Sequence, residues 1–226
     1  MTKPDQLIFQ ALQQFAASVT AKMKALAAGE PEDQLRSPLE AFLSEAGKAI
    51  GRNIIAKGES QLPGRLGIPD YAVLADKLLA GYIELKGPGK GVNPDHYKGH
   101  DRKQWKRFQS LPNIIYTDGN EWGLYRSGKR VGALVGLSGD ITKSGKSAVK
   151  PQDVDAFKPL LTDFLSWHPI IPKEAKALAE LLAPLCRMLR QEVNDALEDA
   201  NSPLVKVAKD WRDLLFPGHH DTVSSR

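Results

Sequence analysis

The apolar residues of this chain repeat with a helical period, switch to a strand period, and then return to a helical one. Any fold it adopts must therefore set a sheet among helices. Leu7, Ile8, Ala11, Leu12, Phe15, Val19, Met23 and Leu26 predict an amphipathic helix over 5–28, stopped by Gly29. Pro31 opens a second helix with Glu30, Glu32 and Asp33 at its positive end. Its apolar face is Leu35, Leu39, Phe42, Leu43 and Ala46, it ends at 47–51, and Pro38 predicts a local irregularity. Strands follow at 53–56, 70–75 and 78–86, the last two a hairpin turning at Asp76–Lys77. A Gly/Pro/Asn loop over 87–94 leads into a basic helix at 96–110. Strands at 113–117, 121–126 and 130–137 come next, joined by Asp118-Gly119-Asn120 and Ser127-Gly128-Lys129 turns. The Ser/Gly/Lys-rich segment 138–150 reads as an exposed linker. Beyond Pro151 the pattern is helical, over 151–166, 173–199 with a kink or break at Pro184, and 203–215. The expected fold is α/β, a mixed sheet of five or six strands flanked by helices, with an all-helical C-terminal extension.

Composition narrows the function. A single cysteine, Cys186, excludes an internal disulfide framework and a cysteine-based zinc site; within its leucine-rich helix it is expected to be a small buried hydrophobe. His219-His220 lies in what reads as a solvated tail. The opening residues MTKPDQLIFQALQQF fit neither a secretory signal nor a transit peptide, and no apolar run is long enough to span a bilayer, so a cytoplasmic location without membrane contact is expected. The net charge of +4 conceals an asymmetry: residues 1–150 carry 22 Lys and Arg against 15 Asp and Glu, whereas residues 151–226 carry 9 against 12. The basic character thus belongs to the sheet-forming part, as for a polyanion-binding surface.

The chemistry concentrates in Ile68-Pro69-Asp70 and Glu84-Leu85-Lys86. Strand alternation sends Glu84 and Lys86 out of one face, and the hairpin brings Asp70 beside Glu84. Two carboxylates and an ammonium at the ends of adjacent strands can hold a hard divalent cation through oxygen, with the lysine left to orient or help deprotonate a water. Charged residues near strand ends are also commonly just solvated. Three features favour the site: the buried-looking centre of GYIELK, the restraint Pro69 places on the strand entry, and the glycine-rich loop and basic helix that follow at once. That helix carries Lys98, Arg102, Lys103, Lys106 and Arg107. Trp105 and Phe108 should pack onto the sheet and leave the cations and Gln104 outward, either as phosphate contacts or as an ordinary solvated face. The Gly87–Gly91 run lacks the spacing of a phosphate-binding loop and instead gives the backbone freedom for a close approach.

The motifs EDQLRSPLEAFL, GIPDYAV, GYIELKGPG and RKQWKRFQSLPNIIYTDGNEWGLYR, in that order over residues 30–135, resemble the PD-(D/E)XK nuclease superfamily. More narrowly, they are similar to the N-terminal nuclease domain of single-polypeptide restriction–modification enzymes. The resemblance implies a restriction-endonuclease-like fold, Asp70 and Glu84 as ligands of Mg²⁺ (Mn²⁺ able to substitute), Lys86 as catalytic, and Gln104 completing the site. Glu32, before Arg36, is the matching acid on the preceding helix, with Glu59 and Glu40 as further candidates. It also implies a nuclease domain over 1–137, a linker over 138–150 and a helical connector over 151–226. The substrate implied is double-stranded DNA, cut in defence against foreign or phage DNA. Target choice would come from a methyltransferase or specificity domain of the same or a partner polypeptide, and a homodimer would serve double-strand cutting. The chain lacks a Gly-rich cofactor loop and an Asn/Asp-Pro-Pro-Tyr/Phe element, so it is not expected to methylate. The alternative is a non-catalytic DNA-binding module that keeps the nuclease fold.

Overall fold

Two hairpin turns set the geometry of the sheet. Asp76 and Lys77 (φ 51° and 73°), and likewise Ser127 and Gly128 (φ 48° and 78°), occupy the left-handed region. Two consecutive residues there form the tight turn whose twist matches that of paired strands. The computed structural model describes residues 1–25, 30–58, 69–168 and 175–216. Six strands, β1 (Ile54–Gly58), β2 (Tyr71–Ala75), β3 (Leu78–Leu85), β4 (Ile114–Thr117), β5 (Glu121–Arg126) and β6 (Lys129–Gly136), lie side by side in chain order. Every neighbouring pair is antiparallel except β3 and β4, which run parallel because helix α3 (Gly99–Phe108) carries the chain across between them. The sheet is mixed and flanked by helices, in the restriction-endonuclease-like arrangement expected from the sequence.

One face of the sheet carries the main core. Helices α1 (Lys3–Lys24), α2 (Asp33–Ala49) and α4 (Asp153–Leu165) bury their apolar stripes against it. Each contributes a phenylalanine to the aromatic cluster at Trp122 of β5, with Phe15, Phe42 and Phe157 packed edge-on at centroid distances of 6.0, 5.6 and 5.5 Å. Helix α2 runs unbroken through Pro38, which lies buried in its second turn. On the opposite face, α3 lays Trp105 on Tyr116 and Tyr125, 5.4 and 5.0 Å away.

Helix α3 is shorter than the 96–110 expected, because a 3₁₀ turn at Pro94–His96 precedes it and Gly99 enters at φ 53°. The segment 138–150 is no free linker. Ile141, Ala148 and Val149 are buried in the core, Gly145 N–H donates to Thr20 Oγ1 (2.8 Å), and the Thr20 hydroxyl donates to the Ile141 carbonyl. Three apolar side chains anchor a stretch whose Ser/Gly/Lys composition reads as solvated.

Helix α4 likewise belongs with the sheet. Asp153 at its start accepts from Ser138 and Lys150 N–H, and its last carbonyls, which lack intrahelical donors, are met from the sheet side. Arg126 donates to Asp163 O (2.8 Å), Asn113 to Phe164 O (3.0 Å) and Arg52 to Leu165 O (3.1 Å). Gly81 permits this approach, since a Cβ there would sit 2.5 Å from the Asn113 carbonyl and 2.7 Å from the Phe164 ring. The chain divides into compact units at Met1–Lys173 and Glu174–Arg226, whereas the resemblance implies boundaries at 137 and 151.

The second unit contains α5 (Ala175–Glu198) packed on α6 (Pro203–Leu215). Pro184 lies within α5 instead of dividing it. Cys186 is exposed, contrary to its expected burial. No helix among the described residues is long and apolar enough to cross a membrane.

Placing Phe157 in the core makes a specific demand on stability. Phe157→Ala should destabilise the first unit by about 3–5 kcal/mol, measured by urea unfolding; a cost below about 1 kcal/mol would show α4 to be a detachable appendage.

Candidate active site

The β2–β3 turn fixes a register in which Tyr71 faces Ile83, so the next pair outward is Asp70 with Glu84. Alternation then divides β3 between the two faces of the sheet. Ile83 and Leu85 enter the main core, while Glu84 and Lys86 emerge on the side of α3. All three chemically active side chains are buried, with Asp70 5% exposed, Glu84 1% and Lys86 2%. Charges at such depth require partners, and each has them.

Asp70 Oδ1 accepts from Arg36 Nη2 (2.5 Å) and Oδ2 from the Leu85 N–H (2.8 Å), while the Asp70 N–H points at Glu84 Oε2 (3.4 Å). Lys86 Nζ donates to Glu84 Oε1 (3.0 Å) and to Gln104 Oε1 (2.5 Å), and Asp101 Oδ1 lies 3.5 Å away. The Tyr116 ring, whose centroid is 5.8 Å from that ammonium, closes the remaining side. Burial, and then the charge of Asp70, push the Glu84 carboxyl up to about 8, against the opposing pull of Lys86.

The structure brings together most of the residues expected from the sequence. Asp70, Glu84, Lys86 and Gln104 converge. Gln104 turns inward onto Lys86 instead of outward, because it shares the α3 face that carries Asp101, Trp105 and Phe108. Glu32, immediately before α2, is half-buried and lines a cleft with Glu30, Asp33, Gly87, Pro88 and Lys90. Burial raises its carboxyl, and the charges of Lys86 and then Asp70 modulate it in opposite directions. Glu40 accepts from the Tyr71 hydroxyl (2.9 Å) and makes no hydrogen bond or ion pair with Asp70, Glu84 or Lys86 among the described residues, so it is not brought into this cluster. Glu59 and His219-His220 lie outside the described residues.

The cations of α3 differ in their circumstances. Lys98, Lys103 and Lys106 are exposed, whereas Arg102 donates to the Pro94 carbonyl (2.9 Å) and Arg107 lies against the Phe108 ring. Sequence reasoning overlooked Asp101, Lys90 and Tyr116, and named Arg36 only as a motif neighbour. Asp101 was detectable in principle, being three residues before Gln104 on the same helical face.

The donor set fits a hard divalent cation. Asp70 and Glu84 present four carboxylate oxygens, each engaging a single donor and so retaining a second lone pair. Among the described residues no group of three or more His, Cys, Asp or Glu could form an all-protein cage. Two carboxylates with water and phosphate oxygens completing the shell is the usual coordination of Mg²⁺. A cation between Asp70 and Glu84 would also relieve the repulsion that raises the Glu84 carboxyl.

No protein-family model matches the chain, and no curated protein matches it. Among solved structures, it is similar to a chain of the DrdV–DNA complex determined by cryo-electron microscopy, at 19% identity and a TM-score of 0.44. The match covers 85% of this chain and 18% of that one, so this chain spans less than a fifth of the neighbour's length.

The state of Glu84 has a measurable consequence. Without a bound cation, burial and the charge of Asp70 raise the folded Glu84 carboxyl from its ordinary 4.5 to about 8. The folded state therefore binds more protons between these values, and stability falls as pH rises through that window. Without divalent cations, the urea midpoint of the wild type should decline from pH 5 to pH 8.5 more steeply than that of Glu84→Gln. Parallel profiles would contradict the assigned state of Glu84.

Proposed function

We propose that this chain is a divalent-metal-dependent nuclease of PD-(D/E)XK type that hydrolyses phosphodiester bonds in double-stranded DNA. The observation that carries this reading is the convergence of buried Asp70, Glu84 and Lys86 with half-buried Gln104, drawn from the entry to β2, the end of β3 and α3. Asp70 and Glu84 would hold Mg²⁺, or Mn²⁺ in its place. When bound, such a cation neutralises charge on a phosphate and lowers the pKa of a water.

The chain's own residues divide the remaining work. Glu84 and Gln104 fix the Lys86 ammonium, so its charge is aimed without reorganisation at negative charge developing on a phosphate. Arg36 and the Leu85 N–H fix the Asp70 carboxylate. Glu32 adds a third carboxylate at the cleft. Lys98, Lys103 and Lys106 supply sequence-independent attraction for the DNA backbone, with Arg102 and Arg107 contributing charge while anchored to their own element. Recognition of a target would come from a methyltransferase or specificity domain in the same or a partner polypeptide, and a second copy of the chain would provide for the second strand. Defence against phage DNA is the biological setting this reading suggests.

Plasmid nicking or linearisation with Mg²⁺ or Mn²⁺ tests the chemistry. Asp70→Ala and Glu84→Ala should reduce cleavage to background while leaving DNA affinity near that of the wild type. Lys86→Ala should retain cation binding and lose most turnover. Full activity in these variants would overturn the site.

Binding to random duplexes in a salt series, with Ca²⁺ in place of Mg²⁺, tests the helix. The salt slope of log K should fall by about 0.9 for each lysine–phosphate pairing that Lys103→Ala or Lys106→Ala removes. DNA binding without cleavage under either metal would favour the non-catalytic module.

A further inference from the structure

We infer that Lys90 is a phosphate-binding residue at the mouth of the site, held ready there by Asp101. The inference rests on the nuclease reading and adds to it a substrate contact that the motif residues do not include.

The loop carrying Lys90 has a defined shape. Lys90 N–H donates to the Gly87 carbonyl (3.0 Å), and Gly89 and Gly91 bend the chain at φ 81° and 71°. Downstream, Gly91 N–H donates to Asp118 (3.0 Å), Val92 N–H to Glu121 (3.1 Å), and the Tyr125 hydroxyl to the Val92 carbonyl (2.7 Å). The turn between β4 and β5 thus pins the loop beside the site. A lysine on this fixed backbone is positioned far better than one on a free surface loop.

Among the described residues its ammonium has one carboxylate partner, and that carboxylate is shared. Asp101 Oδ2 lies 3.1 Å from Lys90 Nζ, while Asp101 Oδ1 lies 3.5 Å from Lys86 Nζ. Lys86 is 2% exposed, whereas Lys90 is 52% exposed. The outer half of the bridge is a solvent-accessible ion pair, weak enough to exchange for a phosphate, while the inner half stays buried.

The cleft makes a cation at this point necessary for an anionic substrate. Of its described lining, only Lys90 is positive, and Glu30, Glu32 and Asp33 share the cleft with it. Glu32 also interacts electrostatically with Asp70 and Glu84. A phosphate approaching the carboxylate pair would meet net repulsion at the entrance unless Lys90 accompanied it. When Lys90 turns to the phosphate, Asp101 is left to Lys86 alone and keeps that ammonium in place.

The test measures binding of the full chain to random-sequence duplex DNA in Ca²⁺ across a salt series, with cleavage measured in parallel in Mg²⁺. Lys90→Ala and Lys90→Gln should each lower the salt slope of log K by about 0.9 and slow cleavage, while Lys90→Arg should keep the slope. Asp101→Asn should tighten binding when Lys90 is present and lose that effect in the Lys90→Ala background. If the wild type cuts DNA but Lys90→Ala keeps its slope, or Asp101→Asn acts equally in both backgrounds, the assignment of Lys90 is overturned and the nuclease reading stands. If the wild type neither binds nor cuts DNA under Mg²⁺ or Mn²⁺, both fall.

Discussion

Two carboxylates facing each other out of water repel, and burying them is tolerable only where fixed donors surround both. Asp70 and Glu84 impose that constraint here, and the rest of the fold answers it from three directions. Arg36 comes from α2, Lys86 from the strand that bears Glu84, and Gln104 from α3 to hold Lys86. Removing Arg36 or Lys86 would take the cationic partner from a buried carboxylate, and a broken buried pair costs about 3–5 kcal/mol. The site is therefore also part of what orients α2 and α3 about the sheet.

The topology makes this convergence possible. An antiparallel hairpin sets Asp70 opposite Glu84, and the parallel β3–β4 step requires a crossover. That crossover is α3, and it supplies Gln104 and Asp101 on the sheet face where Glu84 and Lys86 emerge. The opposite face bears the Trp122 cluster and the helices that bury it. The sheet thus separates an apolar side that stabilises from a polar side that can act. Tyr116 lies at the seam: its ring serves Lys86, while its buried hydroxyl has no hydrogen-bond partner among the described residues.

Much of this was legible from the sequence, because period and turn chemistry are local. Asp76-Lys77 marks a hairpin without reference to the rest of the chain, and alternation alone assigns Glu84 and Lys86 to one face. What could not be read was set by contacts distant in sequence. Asn113 and Arg126 cap α4 across dozens of residues, so the helix that composition placed in an extension belongs to the core. The segment 138–150 is held by Thr20 of α1, which no local pattern in that segment reveals. Gln104 was misoriented by counting hydrophobes alone, since Trp105 and Phe108 define the inward face but not how far it extends. A buried ammonium drew a polar residue and an acid onto the same face.

Charge is distributed in two layers that act over different distances. The excess of Lys and Arg in residues 1–150 includes exposed side chains on α3, where it acts over a Debye length of about 8–10 Å. The cleft itself is lined largely by carboxylates, whose effect is short-range and less screened. A polyanion would be attracted to the chain as a whole yet resisted at the site. In the proposed nuclease this conflict makes a divalent cation an electrostatic requirement as well as a chemical one, because a phosphate can approach Asp70 and Glu84 only after their charge has been offset. Lys86 cannot do this alone, since its ammonium is already divided among Glu84, Gln104 and Asp101.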